Sequence, residues 1–346
     1  MMNNQSIDNE TFAYASDIPI RFVEIVAKAL LFIINKITFA AVDKKVTPLS
    51  ISITLYIVVD LVVIVSTTIQ GTFFEIASHN MVIALYVLSP IGVALAYRFY
   101  KRLLPVLDEL IEAGTIHIQA ENVNDFLNAL YTRLNSRRWA IICFIVSIFI
   151  YLFWLYVLPL LGIEAGFTSG TFPIVLQIYV SFWGVFLYSA LFLFTYKVIT
   201  IWQLIHRLSV NSIEGSKEPY FNVDLGHKDR CAGFEILSRL WLNVNFVITL
   251  VGMALVAYAS VHGLNAWLCF LLVIYLVFGM SLFFAPYLKL HSLMLVKKDT
   301  IYTKHKHYED RKDIPEWPHN LKIKKSFWII HLLPVYGVFI IELLKL

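Results

Sequence analysis

Residues 139–161 read WAIICFIVSIFIYLFWLYVLPLL, an apolar run without one charged side chain. A helix of this length crosses the roughly 30 Å hydrocarbon core of a lipid bilayer. A helix that is hydrophobic on every face is buried in a core or surrounded by lipid, because water would contact its Ile, Phe and Leu side chains. The run therefore predicts a transmembrane helix.

Similar apolar runs recur on both sides of this one. The whole chain is 59% hydrophobic and 15% charged, which is too apolar for an ordinary soluble domain. We expect an all-α, polytopic integral membrane protein with six clear transmembrane helices and a seventh candidate. The other spans are expected at 49–69, 81–97, 172–195, 240–260 and 266–287, and the seventh candidate is 327–344.

The distribution of positive charge predicts the orientation of these spans. The chain has 28 Lys and Arg residues, and none of them falls in the short loops at 70–80, 162–171 and 262–265. Because positively charged loops stay in the cytoplasm, we expect these three loops to face outward and the amino terminus to be cytoplasmic. The basic side favours anionic lipid headgroups over nucleic acid as a partner.

The spans are arranged as three hairpins, and the second helix of each continues into polar sequence on the basic side. These extensions predict a small cytoplasmic helical layer. An amphipathic helix near 122–138 adds to it, with Phe126, Leu127, Leu130 and Leu134 on one stripe. The expected segments are 1–47 (cytoplasmic amino terminus with an amphipathic interfacial helix), 48–98 (first hairpin), 99–138 (cytoplasmic helical connection), 139–207 (second hairpin), 208–239 (cytoplasmic loop), 240–288 (third hairpin), 289–325 (basic cytoplasmic segment) and 326–346 (seventh spanning or re-entrant helix).

Polar side chains inside the spans are candidates for a permeation pathway. Asp60 lies near the middle of the first span, where a carboxylate costs about 2.5–3.5 kcal/mol and often marks an ion or proton pathway. The alternative is an Asp that hydrogen-bonds two helices together. Asn243 and Asn245 in the fifth span have the same two interpretations, with hydrogen bonding between helices favoured. Gly252 offers a place where two helices can approach closely.

The last apolar stretch combines features that are unusual in lipid. Pro334 and Gly337 interrupt its middle, and His331 and Glu342 are ionisable. Irregular backbone at membrane depth is tolerated where protein or a water-filled cavity satisfies it. The stretch therefore predicts either a pathway-lining helix, with His331, Pro334 and Glu342 as pathway residues, or a kinked final anchor.

The polar loop between the fourth and fifth spans has the densest group of reactive side chains. His227, Asp229 and Cys231 alternate in it, without a second cluster at zinc spacing. We therefore expect no metal site, but a loop that is held by charge pairs and a glycine turn and caps the extended helices. The three cysteines fall in two spans and this loop, so no disulfide framework is expected.

The sequence His227-Lys-Asp229-Arg230-Cys-Ala-Gly233-Phe resembles the His-Pro-Asp-Arg-x-Gly-Gly-Leu loop of a group of uncharacterised bacterial multi-pass membrane proteins. The match rests on His227, Asp229, Arg230 and Gly233, with lysine in place of the proline and alanine in place of the first glycine. It covers this loop and the order of the spans. The resemblance implies a multi-pass protein of the bacterial inner (plasma) membrane and carries no known activity with it.

The sequence has no catalytic, nucleotide-binding or metal signature, so we expect neither an enzyme nor a bound cofactor. The polar residues inside the spans instead indicate a homo-oligomeric channel, or a transporter, for ions or small solutes. The alternative is a non-conducting membrane scaffold or sensor whose basic cytoplasmic layer binds lipid headgroups or a partner protein.

Overall fold

The computed structural model describes residues 80–160, 174–214, 218–229, 231–305 and 334–340, together with Leu332 and a few single positions before residue 72. Six main helices and one short ribbon make up this part of the chain. They are α1 (Asn80–Glu112), β1 (Ile116–His117), α2 (Val123–Leu134), α3 (Arg137–Leu152), α4 (Ile174–Glu214), β2 (Tyr220–Phe221), α5 (Glu235–His262) and α6 (Ala266–His305). After α3 the chain continues through a π-helical turn, Phe153–Val157, to a short helical turn that ends at Leu160. Residues 334–340 are also helical and are called the last helix below.

Four helical stretches in the described residues are long and apolar enough to cross a membrane. They are Val123–Leu160, Gly184–Ile213, Glu235–Ser260 and Ala266–Thr300. The helices α4 and α6 contain 41 and 40 residues without a break, and each is therefore about 60 Å long, roughly twice the thickness of a hydrocarbon core. The prediction that these helices continue from apolar into polar sequence is confirmed.

Several predicted segments lie outside the described residues. These are most of the first span, much of the seventh candidate, and the amphipathic amino-terminal helix apart from Ile25. The helix α1 includes the predicted second span and continues past Tyr97 to Glu112, with Pro90 and Pro105 inside it.

One hydrophobic core joins the spanning helices to the polar end of the bundle. The helix α5 packs mainly against α1 and also against α6, while α4 packs against α3 and α6. The core contains side chains from α1, α2, α4, α5 and α6, and also from the ribbon and the loop after it. Its largest fully buried side chains include Trp241, Tyr97, Phe99, Phe221 and Phe234.

The helix α3 lies at the edge of this bundle. Its large side chains Phe144, Ile145 and Phe149 are exposed. An extensive exposed apolar face marks a surface that contacts protein or membrane. This face fits a helix that borders on lipid.

The amphipathic helix predicted near 122–138 is confirmed as α2. Leu130 and Leu134 are buried, and Phe126 and Leu127 on the same stripe are half-buried. The stripe covers the polar end of the bundle, where α2 contacts α4.

The ribbon is a departure from the predicted all-α fold. Ile116 pairs with Phe221 and His117 with Tyr220, in antiparallel register. Strands of two residues are too short to give an alternating sequence pattern. The pairing therefore depends on contacts between the end of α1 and the loop after α4, which are far apart in sequence.

The helix α4 continues to Glu214 although its sequence becomes polar after Arg207. The polar side chains in this last part are satisfied by the protein. Asn211 Nδ2 donates to the carbonyl of Pro219 at 2.8 Å, and Ser212 Oγ donates to the carbonyl of Phe221 at 2.7 Å. These bonds attach the end of α4 to the ribbon.

Candidate functional site

The helix α5 contains two of the predicted pathway residues, Asn243 and Asn245, which lie on different faces because they are two positions apart. Asn243 is buried, and its Nδ2 donates to the carbonyl of Leu240 within the same helix at 3.2 Å. The side chain of Asn245 is 0% exposed, and neither its Nδ2 nor its Oδ1 has a hydrogen-bond partner among the residues that the structure describes. The predicted hydrogen bond from these amides to another helix is therefore not observed for either residue.

Trp241 adds a second buried polar group one turn before Asn245. Its indole is almost fully buried and its Nε1 also lacks a hydrogen-bond partner. Residues four apart share one face of a helix, so Trp241 and Asn245 lie on the same face of α5. A buried polar atom without a partner costs about 1–3 kcal/mol and calls for a structural or functional reason. The sequence alone does not distinguish Trp241, because tryptophan inside a span is usually part of the packing.

The same face of α5 holds the last helix. A Cβ atom at Gly252 would lie 2.6 Å from Tyr275 Cζ and 2.7 Å from Pro334 Cγ, so only glycine fits between them. The predicted role of Gly252 in close helix approach is confirmed. Pro334 is buried at this contact, and residues 334–340 are helical around Gly337.

The last helix is attached to the bundle by one side only. A Cβ atom at Gly337 would lie 3.3 Å from Val256 Cγ2, and Val338 is buried in a cluster with Tyr258 and Leu272. On the opposite side, Tyr336, Phe339 and Ile340 are exposed by 55–60%. The described part of the last helix thus presents an apolar face that the described part of the chain does not cover.

The loop before α5 is organised around the carboxylate of Asp229. Its Oδ1 accepts hydrogen bonds from the amides of Cys231 at 2.8 Å and Gly233 at 3.1 Å, and its Oδ2 accepts one from the amide of Glu235 at 3.1 Å. Glu235 is the first residue of α5. Asp229 therefore places a negative charge at the amino-terminal end of α5, where the helix dipole favours it. The segment is a structured loop, as predicted, but the helix that Asp229 caps is α5 and not one of the extended helices that the sequence predicted it to cap.

His227 also contacts this carboxylate. Its Nδ1 lies 2.8 Å from Asp229 Oδ1, and the amide of Asp229 lies 3.3 Å from the same nitrogen. Nδ1 cannot accept from the amide and donate to the carboxylate at the same time. The shorter contact, to a charged acceptor, is the stronger one, so we assign the proton to Nδ1. Burial alone raises the pKa of Asp229, but its hydrogen bonds from Cys231, Gly233, His227 and Glu235 hold that pKa below its ordinary value.

The turn after Asp229 requires two residues with positive φ. Ala232 has φ 57° and Gly233 has φ 84°. A Cβ atom at Gly233 would lie 2.6 Å from Thr115 Oγ1, next to β1. Gly233 is therefore needed both for the backbone conformation and for the close approach of Thr115. Ala232 adopts a left-handed conformation that costs a non-glycine residue about 1–2 kcal/mol.

The chemistry of this loop is structural. Burial, together with the negative charges of Asp229 and Glu235, raises the pKa of the Cys231 thiol to about 11. A neutral, buried thiol is neither a good nucleophile nor a good metal ligand. Within the residues that the structure describes, no three His, Cys, Asp or Glu side chains come together to hold a metal ion.

Lys197 is a buried cation that the sequence analysis did not single out. It is 2% exposed in α4, and its Nζ lies 4.2 Å from the ring centroid of Tyr100 in α1. The negative face of an aromatic ring attracts a cation at this distance. The contact holds α1 and α4 together, and its partner is too distant in sequence to be recognised from a pattern.

The remaining predicted site residues, Asp60, Arg230, His331 and Glu342, lie outside the described residues. Of the others, the structure brings Asn245 and Pro334 to one face of α5, while His227, Asp229 and Gly233 form the separate loop before that helix. No protein-family model, curated protein or solved structure matches the chain. Any function must therefore be argued from the chain's own residues.

Proposed function

We propose that the chain is a polytopic protein of the bacterial inner membrane that assembles with copies of itself into a channel, or a transporter, for ions or small solutes. The long apolar helices support the membrane location. The concentration of Lys and Arg at one side supports a cytoplasmic amino terminus. The apolar outer faces of α3 and the last helix give the protein surfaces that suit lipid or another copy of the chain.

The observation that carries the proposal is the unsatisfied amide of Asn245. This side chain is completely buried in a helix of membrane-spanning length and has no hydrogen-bond partner in the described part of the chain. Such a group destabilises the observed arrangement. It would be satisfied in an arrangement that admits water or an ion next to α5, and polar groups at membrane depth commonly mark such pathways.

The last helix supplies an element that can move in this opening. It contacts α5 two turns from Asn245, at Gly252, through a junction that has no room for a side chain on the glycine. Its apolar outer face, with Tyr336 and Phe339, has the character of the hydrophobic constrictions that gate channels by excluding water. We place this helix next to the permeation pathway, together with Asp60, His331 and Glu342.

A specific observation favours the alternative of a non-conducting scaffold or sensor. The loop around Asp229 is a closely bonded polar structure at one end of the bundle, of the kind that holds helix ends in fixed positions. The basic segments near it would bind anionic lipid headgroups or an acidic partner protein.

The test is ion flux into liposomes that contain the purified chain, wild type beside Asn245→Leu. We expect the wild type to give flux above that of empty liposomes, and the leucine to lower it by at least about tenfold, because the pathway loses its polar group. The same variant should unfold at a higher temperature, since an unsatisfied amide worth about 1–3 kcal/mol is replaced by an apolar side chain of similar size.

Asn128→Leu is the matched control, because Asn128 is exposed on α2 and the substitution is chemically the same. It should leave flux unchanged. Liposomes that stay sealed over a range of voltage, pH and ions would contradict the channel and favour the scaffold. Flux that is equal in the wild type and Asn245→Leu would remove Asn245 from the pathway, and Asp60→Asn would then test the next candidate.

A further inference from the structure

We propose that the partly open space between α1, α4 and α5 is a binding site for a small, neutral, mostly apolar molecule, about the size of one aromatic ring and with at most one hydrogen-bonding group. The space has a volume of about 160 Å³. It is lined by Leu88, Ser89, Gly92, Val93, Ala96, Leu187, Ala190, Leu191, Phe194, Val247, Leu250, Val251 and Ala254. The proposal concerns binding alone and does not depend on whether the protein conducts.

The cavity exists because each helix contributes small residues to its walls. These are Gly92 and Ala96 from α1, Ala190 from α4 and Ala254 from α5. A Cβ atom at Gly92 would have only Leu250 Cδ1 near it, at 3.7 Å. Because these side chains are small, the three helices leave a partly open pocket where they meet. Ligand sites are commonly clefts of this kind between the helices of a bundle.

The lining determines which chemistry the site accepts. Ser89 is the only polar side chain among the lining residues. A charged molecule would lose its hydration without compensation, whereas an apolar one gains from burial. Apolar cavities of about 150 Å³ remain dry and bind benzene. Ser89 adds one hydroxyl group that can orient a ligand, as single polar groups do in mainly apolar ligand sites.

One end of the cavity is closed by an aromatic cluster. The ring of Phe194 contacts Phe99, with centroids 5.4 Å apart, and Tyr100, with centroids 6.2 Å apart. The Nζ atom of Lys197 lies 4.2 Å from the ring centroid of Tyr100. A lipid acyl chain shares the apolar chemistry of the site, but it offers no partner to Ser89. A single ring with one hydroxyl group fills a compact volume and also binds this side chain.

The experiment uses the full chain in lipid nanodiscs and follows 4-fluorophenol by fluorine NMR, with empty nanodiscs as the baseline for partitioning. We expect saturable binding to the wild type. Ala254→Leu fills the cavity and should weaken binding by roughly tenfold or more, while Ala266→Leu makes the same change at an exposed position and should leave it unchanged. Gly92→Ala is a second variant that fills less of the cavity, because it adds one methyl group that the structure accommodates. It should weaken binding without disturbing the fold.

Two further probes test the predicted chemistry. Ser89→Ala should weaken binding of 4-fluorophenol about fivefold and leave binding of fluorobenzene unchanged, because only the phenol can form a hydrogen bond with the Ser89 hydroxyl group. The charged 4-fluorobenzoate should not bind. A signal that never saturates, or that is the same in the wild type and Ala254→Leu, would overturn the proposal. Binding that disappears as the ratio of lipid to protein rises would identify a lipid chain as the occupant and overturn it as well.

Discussion

Asp229 joins the loop before α5 to the helix itself. The carboxylate accepts three backbone hydrogen bonds, from Cys231, Gly233 and Glu235, and contacts the imidazole of His227. Because all these contacts favour the charged form, the loss of the charge should affect the fold more than the loss of an ordinary surface carboxylate.

Asp229→Asn should lower the free energy of unfolding by about 1–3 kcal/mol at pH 7, because hydrogen bonds to a charged group are replaced by weaker ones. The pKa of Asp229 is lowered in the folded state from its usual value near 3.8. Its contribution is therefore fully present above that value and is lost as the pH falls through the folded pKa. Thermal unfolding of the wild type and the variant from pH 7 to pH 3 should show a difference that shrinks on acidification. A difference that stays constant over this range would contradict this role of the charge.

The sequence identified the residues of this loop but not their partners. His227, Asp229 and Gly233 could be selected because they form a short motif within one segment. Thr115, which Gly233 must accommodate, precedes β1 and is more than a hundred residues away. Neither Trp241 nor Lys197 could be selected from the sequence, and the reason is the same. Burial and long-range contacts distinguish these two residues, and local sequence does not show either.

The last helix packs closely against α5 at Gly252. In Gly252→Ala the new methyl group would lie 2.6 Å from Tyr275 Cζ and 2.7 Å from Pro334 Cγ. Overpacking of this kind costs about 1–3 kcal/mol, which exceeds the gain of about 1 kcal/mol from alanine in a helix. We expect a lower unfolding temperature and faster hydrogen exchange in residues 334–340.

Gly92→Ala provides the matched control for this prediction. Gly92 also lies inside a helix, but its added Cβ atom meets only Leu250 Cδ1 at an ordinary 3.7 Å. This variant should be as stable as the wild type or more stable, because the helix propensity gain is not opposed by a clash. If Gly252→Ala behaved like Gly92→Ala, the last helix would not be held by this contact.

The helices could be predicted from the sequence better than the residues at which they end or meet. Long apolar runs and the apolar stripe of α2 are recognisable sequence patterns, so these patterns predict that a helix is present. The end of α4 at Glu214 did not follow, because Asn211 and Ser212 are polar and are stabilised by carbonyls of the ribbon. The ribbon itself has too few residues for any periodicity.

The molecule has two chemically different ends. One end of the described bundle holds the Asp229 loop, the ribbon and α2, and the other holds the short turn between α5 and α6 around Gly263. The helix α5 alone, with 28 residues, separates these ends by about 42 Å, which exceeds the roughly 30 Å of a hydrocarbon core. The proposed channel depends on these two ends lying on opposite sides of a membrane.

The most direct test is therefore the accessibility of one cysteine at each end to a membrane-impermeant maleimide. Lys228→Cys and Leu264→Cys are both at exposed positions. Labelling above that of the unsubstituted chain, in right-side-out and inverted vesicles, measures the side on which each one lies. We expect Leu264→Cys to react only in right-side-out vesicles and Lys228→Cys only in inverted ones. Labelling of both positions from the same side would contradict a membrane-spanning α5, and with it the proposed orientation and channel.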